Sequence, residues 1–413
     1  MSLFEMAKIP METASKLINL DPNAKAVIEQ PERTVEVSIP VRMDDGTTKV
    51  FTGYRSLNST ILGPGKGGVR FHQNVCLDEV KTLGFWMTCK CAIAGLPYGG
   101  GKGGVIVDPR TVSTGELERI TRGYIDRIAP LIGEKKDIPA PDMNTNAQIM
   151  AWMMDEFSKI NCQYCPGFIT GKAVSMGGSL GRTSATGRGV ITAVCEILKK
   201  KGIAIKDATV AIQGFGNVGS WTAKCAKAAG LKIVAISDIS GGLVDPNGFD
   251  PDKLEAYAKT NKGVIAGYPG AKAISGEAVL EQDVTVLIPA AMELQITGKN
   301  ANNIKAKIIV EAANGPTDSD ADVILEKKGI PVVPDVLANG GGVTVSYFEW
   351  VQNLYRYFWT EEEVVERQEK MMVKAFNKIY DAAEKYHTTM RVGAYIVALE
   401  ALAEPIKMRG IIG

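Results

Sequence analysis

The sequence predicts an α/β protein of two domains, an α+β domain followed by a domain built on a doubly wound parallel sheet. Three observations support this fold class. The chain has 413 residues, which exceeds one ordinary domain. Its amino-terminal part mixes alternating strand patterns with long apolar helix patterns. Beyond about residue 185, short apolar strands are separated by helix-length connections, which is typical of a parallel sheet covered on both faces.

The amino-terminal part is predicted to contain a β-hairpin. Residues 35–41 alternate apolar and polar side chains, the turn sequence DDG follows, and residues 49–57 supply the returning strand. Further along, apolar spacing predicts helices at 77–94 and 115–132, a buried strand at 103–109, and another helix after Asn144.

The second half alternates strands and helices. Five short apolar runs predict strands, at 208–213, 231–237, 284–288, 306–310 and 330–333. Helices are expected over 190–199 and 220–229, the second ended by Gly230. A long amphipathic helix is predicted over 360–385, with three glutamates in its first turn, and a shorter helix over 393–402.

Composition and charge exclude several classes of protein. Lys and Arg total 47 against 46 Asp and Glu, a net charge of +1, so neither a nucleic-acid partner nor an anionic membrane surface is expected. No apolar run reaches the roughly 18 residues of a membrane span, and the first 20 residues lack a signal-peptide core. We therefore expect a cytoplasmic protein.

The cysteines predict reduced thiols. Seven cysteines in a chain of this length do not form a disulfide framework. Cys162 and Cys165 make a single C-x-x-C pair, and the chain has only two histidines, so no metal site is expected. The pair is interpreted as buried, small apolar residues, with a metal or redox role as the alternative.

Glycine is unusually abundant and clustered. It accounts for 44 of 413 residues, about 11% where about 7% is usual. The runs lie at 63–68, 95–104, 177–181, 214–219 and 340–342. Such clusters predict places where the backbone approaches a ligand or turns tightly.

The run GFGNVG carries a dinucleotide-binding signature. It follows a predicted strand, opens a predicted helix, and meets an acidic residue, Asp238, at the end of the next strand. This context predicts a Rossmann-type domain, with the pyrophosphate at the helix amino terminus. The predicted cofactor-binding turn consists of Gly214, Phe215, Gly216, Asn217, Val218 and Gly219.

The residues after Asp238 bear on the choice of cofactor. A carboxylate there can accept the ribose hydroxyls and repel a 2′-phosphate, and residues 239–241 include no Arg or Lys to receive that phosphate. NAD is therefore favoured. NADP remains possible, because another loop could bring in a basic residue.

Three lysines lie in or near glycine runs: Lys66, Lys90 and Lys102. Lys102 is surrounded by glycines and precedes an apolar strand, so its ammonium is expected to be poorly hydrated and its pKa lowered towards values useful in acid–base chemistry. Asp142, between prolines and a predicted helix start, is a candidate partner; its alternative role is a helix cap.

Seven motifs, in order along nearly the whole chain, carry a family resemblance: GPGKGGVRFH, PYGGGKGGV, IPAPDMNTN, GGSLGRTSATGRGV, QGFGNVG, EAANGPT and ANGGGVTVSYFEW. Together they resemble the glutamate/leucine/phenylalanine/valine dehydrogenase family, and most of all its hexameric, glutamate-acting members. The resemblance implies reversible oxidative deamination of L-glutamate to 2-oxoglutarate and ammonia, and a homohexamer.

The resemblance also implies roles for individual residues. Lys102 would activate water, Asp142 would transfer protons, and Lys90 would bind the α-carboxylate of the substrate. Lys66 and Ser346 would bind the side-chain carboxylate. The remaining cofactor contacts would be Arg182, Thr186, Asn314 and Asn339. The implied substrate and oligomerisation domain spans 1–180 and is completed by 386–413, and the dinucleotide-binding domain spans 181–385.

Two alternatives remain. In a relative that acts on leucine, valine or phenylalanine, a buried Lys66 ammonium would face an apolar side chain of the substrate. Burying a polar group without a partner in this way costs about 2–7 kcal/mol of free energy. A nucleotide sensor without turnover is disfavoured because both Lys102 and Asp142 are present.

Overall fold

The computed structural model describes residues 9–411 and divides the chain into two units. The first consists of Met1–Arg182, Val343–Val364 and Tyr395–Gly413, and the second of Thr183–Gly342 and Val365–Ala394. These units differ from the domain bounds expected from the sequence in three places. Residues 181–182 and residues 343–364, which include Ser346, group with the first unit, and residues 386–394 group with the second.

The first unit contains a mixed five-stranded sheet. Its strands are β1 (Arg33–Arg42), β2 (Thr48–Ser59), β3 (Gly65–Phe71), β4 (Gly100–Val105) and β5 (Asp137–Pro141), in the order β1-β2-β4-β3-β5. The predicted hairpin is confirmed: β1 and β2 pair antiparallel from Arg33–Leu57 to Arg42–Thr48. Strand β3 runs parallel to both β4 and β5. Pro40 is tolerated in β1 because that strand is an edge.

Between residues 9 and 182 the structure contains five α-helices: α1 (Ile9–Leu17), α2 (Pro22–Ile28), α3 (Leu77–Ile93), α4 (Thr114–Ile128) and α5 (Ala147–Ile160). Helix α4 begins with a capping box, in which the Ser113 hydroxyl accepts from the Glu116 backbone and the Glu116 carboxylate accepts from the Ser113 backbone. Asn146 caps α5. Core side chains of this unit, among them Phe71, Tyr124 and Met153, are fully buried.

The second unit contains a seven-stranded sheet in the order β12-β11-β10-β6-β7-β8-β9. Its strands are β6 (Thr209–Gln213), β7 (Lys232–Asp238), β8 (Gly241–Val244), β9 (Lys272–Ile274), β10 (Val286–Pro289), β11 (Ile308–Val310) and β12 (Val332–Val333). The parallel sheet predicted from the sequence is present from β12 to β7. Two further strands, β8 and β9, extend it antiparallel.

The remaining helices are α6 (Ala185–Lys200), α7 (Asn217–Ala228), α8 (Pro251–Thr260), α9 (Ser319–Lys327), α10 (Asp335–Ala338), α11 (Gly341–Tyr355), α12 (Glu361–Lys385) and α13 (Met390–Arg409). Gly230 follows α7 with φ +83°, as its predicted role of ending that helix requires. Within residues 9–411, no helix is long and apolar enough to span a membrane.

One predicted strand is displaced. The sequence placed it at 103–109, but β4 covers Gly100–Val105, so the glycine run itself is a strand and not a loop. The reason is close packing. A Cβ at Gly100 would collide with Thr88 and the carbonyl of Gly84, both on α3, and a Cβ at Gly67 of β3 would collide with the Gly101 carbonyl.

Candidate active site

Strand order brings the predicted acid–base residues together. Lys102 lies on β4, Lys66 on the neighbouring β3, and Asp142 directly follows β5, the next strand along. Strand β3 runs parallel to both β4 and β5, so the carboxyl ends of the three strands lie at the same edge of the sheet.

Lys102 and Asp142 form a buried ion pair. The Lys102 Nζ lies 2.9 Å from the Asp142 Oδ2, and the lysine side chain is 7% exposed. Burial lowers the pKa of Lys102, and the Asp142 carboxylate opposes this only in part. Burial alone would raise the pKa of Asp142, but the charges of Lys102 and Arg70 outweigh it and hold that pKa well below its usual range. The pair therefore combines an amine that loses its proton more easily than an ordinary lysine with a carboxylate that favours its ionised form.

Arg70 is a member of this site that was not singled out from the sequence. Its Nε donates to the Asp142 Oδ2 at 2.8 Å, and its guanidinium also pairs with Glu79. Arg70 belongs to the motif GPGKGGVRFH, but its position four residues after Lys66 gives no sign of a contact with Asp142. Asp142 thus has two cationic partners and would keep one if the other were removed.

Lys66 is buried with little to stabilise its charge. Its side chain is 1% exposed, and its Nζ donates to the Pro139 carbonyl at 3.4 Å. Burial lowers the pKa of Lys66 to about 7; Cys91 and Glu349 raise it, and Arg55 and Arg182 lower it further. Among residues 9–411, no carboxylate lies in ion-pair contact with this ammonium. The site is suited to a carboxylate supplied by a ligand.

The other predicted substrate contacts also lie in the first unit. Ser346 on α11 is buried, and its hydroxyl lies 2.6 Å from that of Thr170. Lys90 lies half-buried in the last turn of α3. Arg182, which sequence analysis grouped with the cofactor contacts, also falls in the first unit, where its charge lowers the pKa of Lys66. Its buried Nε has no hydrogen-bond partner among the described residues.

The predicted cofactor turn has the geometry that the motif requires. Gly214 has φ +103°, a conformation that favours glycine. A Cβ at Gly219 would collide with the carbonyl oxygen of Gly214, whereas a Cβ at Gly216 would meet no protein atom within 4 Å. Gly216 caps α7 without a side-chain hydrogen bond, so backbone N–H groups of this helix start are available to a phosphate. These residues fit a dinucleotide.

The remaining predicted cofactor residues also lie in the second unit. The Asp238 carboxylate at the end of β7 accepts from the backbone N–H of Ser240 at 2.7 Å and of Ile265 at 2.8 Å. The Asn339 Nδ2 donates to the Asn314 Oδ1 at 2.9 Å. Thr186 lies in the first turn of α6.

The thiols differ in exposure. Cys89, Cys91 and Cys165 are buried, as small apolar residues would be. The same interpretation is wrong for Cys162, which is exposed: it follows α5 with φ +52°, in a turn that directs it to solvent.

Comparison with known proteins decides the family. Residues 177–410 match the sequence model described as "Glutamate/Leucine/Phenylalanine/Valine dehydrogenase", and residues 31–159 match that of the "Glu/Leu/Phe/Val dehydrogenase, dimerisation domain". The chain belongs to the glutamate/leucine/phenylalanine/valine dehydrogenase family. The resemblance seen in the sequence motifs is thereby confirmed.

Individual members of the family match over almost the full length. The NAD-specific glutamate dehydrogenase of Clostridioides difficile is 51% identical over 414 residues, covering 99% of this chain and 98% of that protein. The crystal structure of glutamate dehydrogenase from Peptoniphilus asaccharolyticus has a TM-score of 0.89 at 45% identity, covering 98% and 99%. The hetero-hexameric glutamate dehydrogenase of Thermus thermophilus, in its Leu-bound form, has a TM-score of 0.92 at 37% identity, covering 98% and 96%.

Proposed function

We propose that this chain catalyses the reversible oxidative deamination of L-glutamate to 2-oxoglutarate and ammonia, with NAD preferred over NADP. The observation that carries the proposal is the buried pair of Lys102 and Asp142, at 2.9 Å, next to the strand that bears Lys66. The full-length relative from Clostridioides difficile, which is NAD-specific, supports both the substrate and the cofactor.

The chemistry needs one group that exchanges protons near neutral pH. The turn of residues 214–219 would hold NAD, which when bound would supply the hydride acceptor for the α-carbon and so allow the amino acid to be oxidised to an imine. Lys102, with its lowered pKa, takes a proton from the water that adds to this imine. Asp142 holds the lysine in place and passes protons to and from the nitrogen that leaves as ammonia. Arg70 favours the ionised form of Asp142, so the carboxylate returns to that form after each proton transfer.

Substrate recognition follows from the two other lysines. Lys90 binds the α-carboxylate, and Lys66 with Ser346 binds the side-chain carboxylate. A buried ammonium that has no ion-pair partner among residues 9–411 favours a dicarboxylic amino acid, because an apolar side chain would leave it unpaired. This argues against leucine, valine or phenylalanine as the substrate. The Lys102–Asp142 pair argues against a nucleotide sensor without turnover.

The direct test is an initial-rate assay of reduced-nicotinamide absorbance with glutamate and each cofactor. We expect glutamate-dependent reduction with a higher kcat/KM for NAD than for NADP, because Asp238 faces the adenosine ribose. Equal values for the two cofactors would contradict the role of Asp238. Absence of glutamate-dependent reduction with either would contradict the proposed activity.

Binding of a dicarboxylate should depend on pH through Lys66. Its pKa is about 7, so below that value the ammonium is already charged, and above it binding must take up a proton. The Kd of glutarate, which cannot react, should therefore stay level below about pH 6 and rise by up to about tenfold per unit above about pH 7. Calorimetry from about pH 6 to about pH 9 measures this. Lys66→Leu should bind weakly and without this dependence; the same pH dependence in that variant would assign it to another group.

Two glycine substitutions should separate cofactor binding from folding. Gly216→Ala meets no protein atom, so the Tm should be unchanged, while the added methyl opposes close approach of the pyrophosphate and raises the Kd of NAD about tenfold or more. Gly219→Ala forces its Cβ against the Gly214 backbone and should lower the free energy of unfolding by about 1–3 kcal/mol. Wild-type NAD affinity in Gly216→Ala would refute the assigned pyrophosphate site.

We further propose that the first unit binds substrate and mediates assembly, that the second binds NAD, and that the chain forms a cytoplasmic homohexamer. The match of residues 31–159 to a dimerisation domain and the hetero-hexameric Thermus thermophilus relative support an assembly of six chains. Light scattering should give about six times the chain mass of 44.3 kDa. A monomer or dimer mass would contradict it.

A further inference from the structure

Another buried ion pair lies in the first unit, apart from Lys102 and Asp142. The side chains of Lys172 and Glu349 are both fully buried, and the Lys172 Nζ lies 2.7 Å from the Glu349 Oε1. The Lys172 Nζ also donates to the Ile169 carbonyl at 2.6 Å. The Glu349 carboxylate accepts from the backbone N–H of Gly171 at 2.9 Å and of Lys172 at 3.3 Å. Three contacts with Glu349 therefore fix the segment 169–172 against α11, and the fourth ties the Lys172 side chain to the backbone of its own segment.

That segment carries Thr170, which links the pair to the predicted carboxylate pocket. The Thr170 hydroxyl lies 2.6 Å from that of Ser346, one turn before Glu349 on the same helix. The Thr170 N–H donates to the Pro139 carbonyl at 3.2 Å, the same oxygen that accepts from the Lys66 ammonium. Movement of the segment would disturb both the hydroxyl and the carbonyl that orient the pocket.

We propose that Glu349 and Lys172 are a positioning pair for recognition of the distal carboxylate, acting through Thr170 on Ser346 and Lys66. This inference rests on the proposed glutamate-oxidising function and extends it to residues that lie behind the pocket. Neither member of the pair needs to touch the substrate.

Stability alone does not account for this pair. Moving two charged groups out of water costs about as much free energy as their mutual attraction recovers. Apolar residues of similar volume commonly stabilise a folded protein equally well. An apolar residue could not accept the two backbone N–H groups. It also could not supply the negative charge that, with Cys91, raises the pKa of Lys66 against the opposing effect of Arg55 and Arg182.

The test compares glutamate with L-norvaline, which lacks the distal carboxylate. The readout is the ratio of kcat/KM for glutamate to that for norvaline. Glu349→Gln and Lys172→Met should each lower this ratio about tenfold or more, mainly through the KM for glutamate, and Lys172→Arg should restore part of it. Glu349→Gln removes a negative charge that raises the pKa of Lys66, so that pKa should fall. The pH above which glutarate binding weakens should therefore be lower in this variant than in wild type.

Thr170→Val tests the link itself. The substitution keeps the side-chain shape and removes the hydroxyl, so it should lower the glutamate-to-norvaline ratio. In the double variant with Glu349→Gln, the ratio should fall no further than it does in the more affected single variant. If Glu349→Gln fails to fold, Thr170→Val decides the matter: an unchanged ratio overturns the inference.

Glu311→Gln is the matched control. Glu311 is a fully buried carboxylate of the second unit that pairs with Arg391 at 2.7 Å. Its loss should leave the glutamate-to-norvaline ratio unchanged, whatever it does to stability. Equal losses for both substrates in Glu349→Gln and Lys172→Met would reduce the pair to a structural role and overturn the inference. A wild-type protein without glutamate-dependent NAD reduction would overturn the proposed function instead.

Discussion

Replacing Lys102 with methionine should lower kcat for glutamate oxidation about a thousandfold or more, within the range expected for loss of a general acid–base group. The substitution keeps the length of the side chain and removes its amine. Water addition to the imine then lacks a base, while the carboxylates of the substrate keep Lys66 and Lys90. The KM for NAD and the Kd of glutarate should therefore change by less than about threefold.

The fold should tolerate this substitution. Asp142 would still accept from the Arg70 Nε at 2.8 Å, so no buried carboxylate is left without a cation. Steady-state rates, glutarate calorimetry and thermal unfolding give the three readouts. Lys159→Met is the control, because that lysine is largely exposed and forms a surface ion pair with Asp155. Retention of more than about a tenth of wild-type kcat in Lys102→Met would exclude the assigned acid–base role.

Lys66→Leu should change substrate preference more than any other substitution in this chain. The kcat/KM for glutamate should fall about a hundredfold to a thousandfold, because a carboxylate would enter an apolar pocket without a counter-charge. The value for L-norvaline should stay within about threefold of wild type or rise. Leucine also removes a buried ammonium whose acceptor in the described part of the chain is one neutral carbonyl at 3.4 Å, so the free energy of unfolding should not decrease.

Competition between the two substrates in one assay measures this preference directly. Ser346→Ala should change it in the same direction and by less, since the hydroxyl contributes a neutral hydrogen bond whereas Lys66 contributes a charge. Equal losses for glutamate and norvaline in Lys66→Leu would remove the assignment of the distal-carboxylate site.

Local sequence patterns predicted those strands and helices whose own residues follow a recognisable pattern. The hairpin of β1 and β2 followed from alternation and a DDG turn, and the β6-α7-β7 unit followed from its apolar strands and glycine spacing. Strands β3 and β5 were missed because GKGGVRF and DIPAP have neither alternation nor an apolar run. Their conformation is imposed by neighbouring strands, which no local pattern records.

Prediction of the candidate site had the same limit. Lys66, Lys102 and Asp142 were singled out because they lie in distinctive motifs. The partners Arg70 for Asp142 and Glu349 for Lys172 depend on contacts between positions 72 and 177 residues apart. Residues 343–364, which include most of helix α11, group with the first unit through contacts with residues distant in sequence, and the expected domain bounds differ from this grouping.

The glycine strands restrict how this protein can diverge. Around Lys66 and Lys102, positions such as Gly67, Gly100 and Gly101 lie so close to backbone or buried side chains that even one methyl group has no room. Descendants that acquire a new amino-acid preference therefore cannot do so by enlarging these neighbours. New substrate preferences must therefore arise at the few side chains that end in the proposed pocket. A small combinatorial library at Lys66, Thr170 and Ser346 should sample most of the accessible specificities.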